Sequence, residues 1–168
     1  MRVLGIDPGT LNMGWGLVEG DNEPKALTWG VIKAKRAAPI HERLTFIFDD
    51  LQLIVSDSSP CDVAIETPFV GSNDRHFVQS AMAIGQAQAT AFIAAVRAGM
   101  MVFSYSPASV KQSVADYGAA SKSQVQEMVR MCLNLDDTPM ANDASDALAV
   151  ALCHWRHQKL QQLLSKGH

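Results

Sequence analysis

The chain alternates short apolar runs with longer amphipathic stretches. Short apolar runs that are bounded by turn residues or acids indicate β-strands. Such runs predict strands at Arg2–Asp7, Gly14–Glu19, Leu27–Ala34, Asp62–Glu66 and Met101–Ser106. The first three are joined by short connections, one of them the turn Asp21–Pro24, so we expect them to form an antiparallel meander.

The amphipathic stretches have apolar residues at spacings of three and four, which is the period of an α-helix. The first predicted helix opens at Pro39 and ends before Pro60. The others are predicted over Val78–Gly99, from Pro107 onward, over Lys122–Leu133 and over Asp143–Leu164. Ser121 and Gln124 have the spacing of a capping box at the start of the Lys122 helix. Irregular connections are expected at Pro68–Phe77 and Asp136–Asn142.

This order of elements predicts an α/β fold, in which one sheet is covered by helices. A dinucleotide-binding fold is not favoured, because Gly5, Gly9, Gly14 and Gly16 lie in strands and a turn rather than at a strand-to-helix junction. We expect one domain over residues 1–164 and a short frayed tail, Ser165–His168.

The composition is that of a globular protein, because 48% of the 168 residues are apolar and 18% are charged. No apolar run reaches the ~20 residues of a membrane span, and we predict no signal peptide, because no basic region and cleavage site precede the first strand. Cys61, Cys132 and Cys153 are scattered without a CxxC motif, which indicates a reducing cytoplasm. The net charge of −3 excludes a simple polycationic nucleic-acid binder but not a nuclease, since catalytic carboxylates lower the sum.

Four carboxylates occupy unusual places in this pattern. Asp7 and Glu66 each end an apolar strand, at the edge where open α/β sheets build their sites. Asp143 and Asp146 are three residues apart on the last helix, so both side chains can reach one point. Taken singly, an acid after a strand is usually a turn residue, and Asp143 alone could serve the helix N-terminus. Together, the four acids predict one acidic site.

Carboxylates without a set of Cys or His ligands favour Mg²⁺ or Mn²⁺ over zinc. Two such ions cleave phosphodiesters in many enzymes, one by activating water and the other by stabilising the leaving oxygen. Bound cations would also relieve the repulsion among the carboxylates. The sequence therefore predicts two Mg²⁺ ions, replaceable by Mn²⁺, at Asp7, Glu66, Asp143 and Asp146.

Six short segments form a further pattern along nearly the whole chain. They are LGIDPGT at Leu4–Thr10, AIE at Ala64–Glu66, GQA at Gly85–Ala87, VKQSV at Val110–Val114, KSQVQEMV at Lys122–Val129 and DASDALAVAL at Asp143–Leu152. In this order they resemble the motifs of the RuvC family of Holliday-junction resolvases, in the RNase H-like superfamily. The resemblance implies a mixed five-stranded sheet flanked by helices, a homodimer, and magnesium-dependent paired nicking of four-way DNA junctions. Our main hypothesis is a resolvase that leaves a 5′-phosphate and a 3′-hydroxyl and acts in recombination and repair.

The resemblance also implies roles for individual residues. The family's metal-binding acids match Asp7, Glu66, Asp143 and Asp146. An aromatic residue that stacks on bases near the crossover matches Phe69, which could instead pack against Phe77. Lysines near the scissile strand match Lys111 and Lys122, and Lys122 is also a catalytic candidate. A branch-migration motor of the RuvA and RuvB type is a candidate partner.

The chain departs from the family between Glu66 and Gly85, which is longer here around Gly71–Phe77. Arg75 in this segment is a candidate DNA contact. The charges of Lys33, Lys35 and Arg36 could extend a backbone-binding surface, although a solvated surface is the simpler interpretation.

Three other functions remain open at this stage. The longer Gly71–Phe77 segment is compatible with a junction-binding protein that cleaves weakly or not at all. Ile6–Thr10 alone would also fit a fragment of an actin-like ATPase, although 168 residues leave no room for the second phosphate loop. A nuclease acting on RNA–DNA hybrids or replication forks would use the same four acids.

Two histidines of the last helix are interpreted as surface or interface residues. His154 and His157 lie ~12 Å and ~16 Å along the helix axis from Asp146, too far to ligate the same ion. The tryptophans Trp15, Trp29 and Trp155 are expected in core or dimer contacts. The Ala-rich stretch Ala81–Ala98 suits either a dimer face or a helix packed on the sheet.

Overall fold

A computed structural model of the chain describes residues 1–60, 62–67, 75–135 and 140–166. Its strands are β1 (Arg2–Asp7), β2 (Asn12–Glu19), β3 (Lys25–Lys33), β4 (Asp62–Glu66) and β5 (Met101–Tyr105). Its helices are α1 (Ile40–Ser58), α2 (Arg75–Arg97), α3 (Pro107–Ala115), α4 (Lys122–Leu133) and α5 (Asn142–Lys166). Within these ranges, no helix combines the length and the apolar character that crossing a membrane requires.

The strands form one mixed sheet in the order β3-β2-β1-β4-β5. β1, β2 and β3 pair antiparallel, as the short connections predicted, whereas β4 and β5 run parallel to β1. The carboxyl ends of β1, β4 and β5 therefore lie at the same edge of the sheet. The predicted fold class, a mixed five-stranded sheet flanked by helices, is confirmed.

Helices cover both faces of the sheet. Because successive strand residues point to opposite faces, each strand contributes to both layers. Leu4 and Ile6 pack with the apolar sides of α1 and α2, whereas Val3 and Ala64 pack with α3, α4 and α5. The two clusters are the hydrophobic core.

Local sequence signals explain where several helices begin. α3 has proline at its first position, and the Ser106 side chain accepts a hydrogen bond from the Ser109 amide. The sequence pattern predicts Ser106 as the last residue of β5. Instead, β5 ends at Tyr105 and Ser106 caps α3. The predicted capping box is present at α4, where Ser121 and Gln124 bond reciprocally to backbone amides.

Several predicted boundaries need correction. β2 begins at Asn12 rather than Gly14, and β3 spans Lys25–Lys33 rather than Leu27–Ala34. α2 begins at Arg75, so the last three residues of the irregular Pro68–Phe77 connection are helical, while residues 68–74 lie outside the described ranges. α2 ends at Arg97, and Gly99 follows in the turn with φ +76°. α5 continues through Ser165 and Lys166, so the first two residues of the expected tail are helical.

Helix α5 lies directly on the backbone of β1 and β2. A Cβ atom on Gly5 would lie 2.1 Å from the carbonyl oxygen of Ala147, and one on Gly14 would lie 1.9 Å from that of Asp143. A Cβ on Gly16 would collide with the Leu148 side chain. Only glycine permits this approach, so these three positions place the N-terminal half of α5 against the sheet.

Gly5→Ala is expected to lower the free energy of unfolding by roughly 3 kcal/mol, because the added methyl collides with the α5 backbone. Urea denaturation measures this change. Gly118→Ala is the control, since its Cβ would lie 3.6 Å from the Gln112 Oε1, an ordinary contact, and its effect should stay within about 1 kcal/mol. Equal stability of the two variants would contradict the close contact.

Candidate active site

Asp7 and Glu66 lie next to each other at the carboxyl edge of the sheet. Ile6 of β1 pairs with Ile65 of β4, and each acid is the following residue of its strand. Asp7 also shares the strand face of Gly5, which is covered by α5. Both acids are partly buried. The predicted meeting of the two strand ends is therefore present in the structure.

Helices α4 and α5 complete one side of this edge. The Lys122 Nζ donates to Asp146 Oδ2 at 2.5 Å, and the Gln126 amide donates to Asn142 Oδ1 at 3.0 Å. The two contacts are one helical turn apart on each helix, which holds the start of α4 against the start of α5. Asp146 is thereby turned toward the same edge as Asp7.

These elements enclose a cleft of about 200 Å³. Its polar lining consists of Asp7, Glu66, Asp146, Lys111 and Lys122, and its apolar lining of Pro107, Val110, Val125 and Ala149. Three of the four predicted acids and both predicted lysines thus converge. Asp143 is not part of the lining, but it lies in the first turn of α5, and its charge acts on Asp7.

Burial and like charges perturb the acids of the cleft. Burial raises the pKa of Asp7 to about 7, and the charges of Glu66, Asp146 and Asp143 act in the same direction. Burial and the charge of Asp146 also raise the pKa of Glu66. Carboxylates with raised pKa values crowded at one edge are typical of functional sites.

Lys122 offsets part of this repulsion. Burial disfavours its charged form, but the hydrogen bond with Asp146 and the charges of the nearby acids outweigh that effect, so the pKa of Lys122 is raised. Lys122 also lowers the pKa of Asp7, and Lys122 and Lys111 both lower that of Glu66. Both lysines therefore act against the repulsion among the acids, and Lys122 does so through a direct hydrogen bond.

The donor set of the cleft fits a hard divalent cation. It offers carboxylate oxygens and neither imidazole nor thiolate among its lining residues. Across the described ranges, no group of three potential ligands forms a ready-made cage for an ion. The Lys122 ammonium instead binds one oxygen of Asp146. The chemistry of the donors fits a metal ion, and one of the acids, Asp146, is held by Lys122.

Two predicted DNA contacts have no structural test. Phe69 lies outside the described residues, and so does the side chain of Arg75. Arg75 is the first residue of α2 rather than part of an irregular connection.

The interpretation of His154 as a surface or interface residue is wrong. Its side chain is fully buried, and its Nε2 and Nδ1 hydrogen-bond with Asp62 Oδ2 at 3.0 Å and the Tyr105 hydroxyl at 2.7 Å. Burial lowers the pKa of His154, although Asp62 acts in the opposite direction. The lowered pKa favours the neutral imidazole. The error arose because α5 is enclosed between the sheet and two helices, so its middle has no side facing water. His157 is exposed, as expected.

His154 begins a run of three residues that attach α5 to its surroundings. The Trp155 indole donates to the Gly20 carbonyl at 2.8 Å. Arg156 donates to the Ser113 carbonyl of α3 and to the Cys132 sulfur of α4. These directional contacts oppose sliding or rotation of α5, on which Asp143 and Asp146 are carried. Sequence analysis missed this role, although the spacing of His154 from the buried Ala147 and Ala151 was a usable signal.

Comparison with solved structures first identifies the class. A yeast mitochondrial Holliday junction resolvase covers 95% of this chain with a TM-score of 0.62 at 13% identity, and this chain covers 85% of it, which shows a common fold. The shared fold is the RNase H-like one, a mixed five-stranded sheet flanked by helices.

Closer relatives identify the family. The family model for "Crossover junction endodeoxyribonuclease RuvC" matches residues 3–154. A RuvC from Dehalococcoides mccartyi is 44% identical over 168 residues, 99% of both chains. Thermus thermophilus RuvC, solved in complex with a Holliday junction substrate, is 33% identical with a TM-score of 0.87 over 96% of both chains. This chain belongs to the RuvC family of crossover junction endodeoxyribonucleases.

Membership confirms the predicted family, the junction-resolving function and the enzyme class. Nucleases of this family are metal-dependent. The donor set of the cleft agrees with that requirement.

Asp7→Asn is expected to raise the free energy of unfolding in EDTA at pH 8, because it removes a buried carboxylate. The pKa of Asp7 rises from 3.8 to about 7 on folding, so the folded protein binds more protons between these values. The destabilisation by ionised Asp7 is therefore complete above pH 7. It decreases as the pH falls below 7 and is gone below 3.8, the pKa of Asp7 in the unfolded chain. At about 1.4 kcal/mol per pKa unit, the gain at pH 8 is on the order of 4 kcal/mol, and less than half of it remains at pH 5. Urea denaturation at both pH values measures it, and an equal gain at both would contradict the raised pKa.

Proposed function

We propose that each protomer uses the acidic cleft to cut one of two opposed strands of a four-way DNA junction. The observation that carries this proposal is the convergence of Asp7, Glu66 and Asp146 with two lysines in one cleft. The products would be a 5′-phosphate and a 3′-hydroxyl. Junction shape and backbone contacts would select the substrate, and a few base contacts would select the cut site.

The acids are proposed as the metal ligands. Asp7, Glu66, Asp143 and Asp146 would together hold two Mg²⁺ ions, for which Mn²⁺ could substitute. Bound ions of this kind supply a polarised attacking water and stabilise the leaving oxygen. The raised pKa values of Asp7 and Glu66 support this assignment, since positive charge at the cleft favours their ionised forms.

The lysines are proposed as contacts to the scissile phosphate. Lys122 is placed at the cleft by the first turn of α4, and Lys111 by α3. A fixed ammonium there stabilises the negative charge that develops on the phosphate during cleavage. Lys122 would also keep Asp146 aimed at the cleft through their hydrogen bond.

In the presence of Mg²⁺, the rate at which the protein nicks a labelled four-way junction is expected to fall by at least about a hundredfold in Asp146→Asn. EDTA should have the same effect on the unmodified protein. Asp57→Asn is the matched control, because Asp57 is an exposed acid near the end of α1, which packs on the opposite face of the sheet.

The assay would include duplex DNA and an RNA–DNA hybrid. Paired symmetric nicks confined to the junction would support the proposal. Cleavage by Asp146→Asn at the unmodified rate would refute the site assignment, and tight binding without nicks would favour a junction-binding protein.

A homodimer would supply the second nick, because a two-fold protein matches a two-fold junction. Helix α2 supports this arrangement with an exposed apolar stripe. The stripe consists of Val78 (44% exposed), Met82 (64%), Ile93 (55%) and Val96 (64%). The opposite side of α2, at Ala87, Ala91, Ala94 and Ala95, is buried in the core. One side of α2 thus packs on the sheet, and the other side is free to form the proposed dimer face.

Met82→Glu is expected to weaken the dimer at least about tenfold, because it places a charge in the apolar interface. Sedimentation at several concentrations measures the dissociation constant. Met131→Glu is the control, since Met131 is equally exposed (65%) on α4, on the other face of the sheet. A dimer that tolerates Met82→Glu as well as Met131→Glu would exclude α2 as the interface.

The other expectations stay predictions. They are base stacking by Phe69, a DNA contact by Arg75, a branch-migration motor of the RuvA and RuvB type as partner, one nuclease domain over residues 1–164, and a cytoplasmic location beside the DNA substrate.

A further inference from the structure

We propose that Lys33, Lys35 and Arg36, here called the basic rim, bind the phosphate backbone of a junction arm as it enters the cleft. This inference rests on the proposed function, because it places a second DNA contact beside the acidic cleft. The rim would contribute affinity without reading base sequence.

Strand register places the rim at the edge of the sheet that carries the acids. Asp7 pairs with Gly14, Gly14 pairs with Val31, and Lys33 lies two residues beyond Val31. Lys33 therefore has the same strand face as Val31, Gly14 and Asp7. β3 is separated from β1 by one strand, so Lys33 and Asp7 are on the order of 10 Å apart across the sheet. The phosphates of a few nucleotides span that distance.

The rim has a fixed backbone and exposed side chains. The Ala34 amide donates to the Leu11 carbonyl at 2.9 Å, which attaches the rim to the turn after β1. The Ala38 amide donates to the Lys35 carbonyl at 3.0 Å and closes a turn. All three rim side chains are exposed, and in the described parts of the chain none forms a salt bridge or a side-chain hydrogen bond. Cations on an ordered backbone with free side chains suit a polyanion.

The cations at the two ends of β3 differ in whether acids beside them are already paired. The rim adds three positive charges at the end beside the cleft, where Glu42 at the start of α1 is the nearest acid along the sequence. At the other end, where Lys25 is the first residue of the strand, Glu19 is paired with Arg2 and Asp21 with the N-terminal ammonium. In a protein of net charge −3, the rim therefore offers a polyanion three positive charges that no salt bridge of the described residues engages.

Protection of an edge strand is the competing explanation. β3 is an edge of the sheet, and lysines on edge strands discourage pairing with other chains. That explanation accounts for Lys33 and equally for Lys25. It does not account for Lys35 and Arg36, because β3 ends at Lys33. Their charges lie beyond the end of β3 and cannot block strand pairing, but they lie at the same edge of the sheet as the cleft.

The test compares two lysines of the same strand. Lys33→Gln and Lys25→Gln make the same change of charge at opposite ends of β3, and both residues are exposed. Both are made in an Asp7→Asn background, so that the junction stays intact in Mg²⁺. Fluorescence anisotropy gives the affinity for a labelled four-way junction over a series of salt concentrations. A triple Gln variant of the rim and Lys33→Arg complete the set.

Lys33→Gln is expected to weaken binding to junctions of different sequence equally and to reduce the salt slope by about 1 for each lost phosphate contact. The triple variant should reduce the salt slope further. Lys33→Arg, which keeps the charge, and Lys25→Gln should both leave the salt slope unchanged. Lys35→Glu/Arg36→Glu lies outside the strand and provides the same test if the triple variant folds poorly.

Equal salt slopes for the rim variants and Lys25→Gln would overturn the proposal. Aggregation of the rim variants with unchanged junction affinity would also overturn it, in favour of edge protection. Failure of the proposed function has a separate signature, which is junction cleavage by the Asp7→Asn background itself.

Discussion

The contact between α5 and the glycines of β1 and β2 is the constraint on which the rest of the structure depends. Gly5 and Gly14 leave the sheet without side chains where α5 crosses it, so the helix rests on backbone. This brings the first turns of α5, with Asp143 and Asp146, to the carboxyl end of β1. A larger residue at either position would lift the helix and separate Asp146 from Asp7. The hydrogen bonds of His154, Trp155 and Arg156 then oppose movement of α5 along its axis.

Bringing these acids together has an electrostatic cost that the surrounding elements reduce. Asp7 is partly buried among like charges, and its pKa is raised to about 7. The capping box of α4 starts that helix at Lys122, which brings an ammonium to Asp146. The same arrangement suits a protein that binds cations and a polyanion in turn, because the acids attract the first and the lysines the second. Folding therefore stores repulsion at the cleft that a bound cation would relieve.

Much of this architecture is readable from local patterns. The bounds of β1, β4 and α4 agree with the prediction, because each has strong signals at both ends, such as the Ser121 cap. The acids were recognisable because Asp7 and Glu66 end apolar strands, and parallel strands end at one edge. The start of α2 was not, since the polar residues before Val78 look like a loop although the helix begins at Arg75. The interpretation of His154 fails because one-sided amphipathicity does not hold where the middle of a helix is buried on all sides.

By itself, the sequence determined the elements, the four acids, the family motifs and hence the nuclease class, because these depend on short-range spacing and residue chemistry. Only the tertiary structure decided how the acids are grouped. Asp146 lines the cleft with Asp7 and Glu66, whereas Asp143 acts on Asp7 from outside the lining. It also decided that Lys122 bonds to Asp146 and that the rim lies at the cleft edge. These relations join residues far apart in the chain, and their distances follow from how closely a helix can approach a strand that has no side chains.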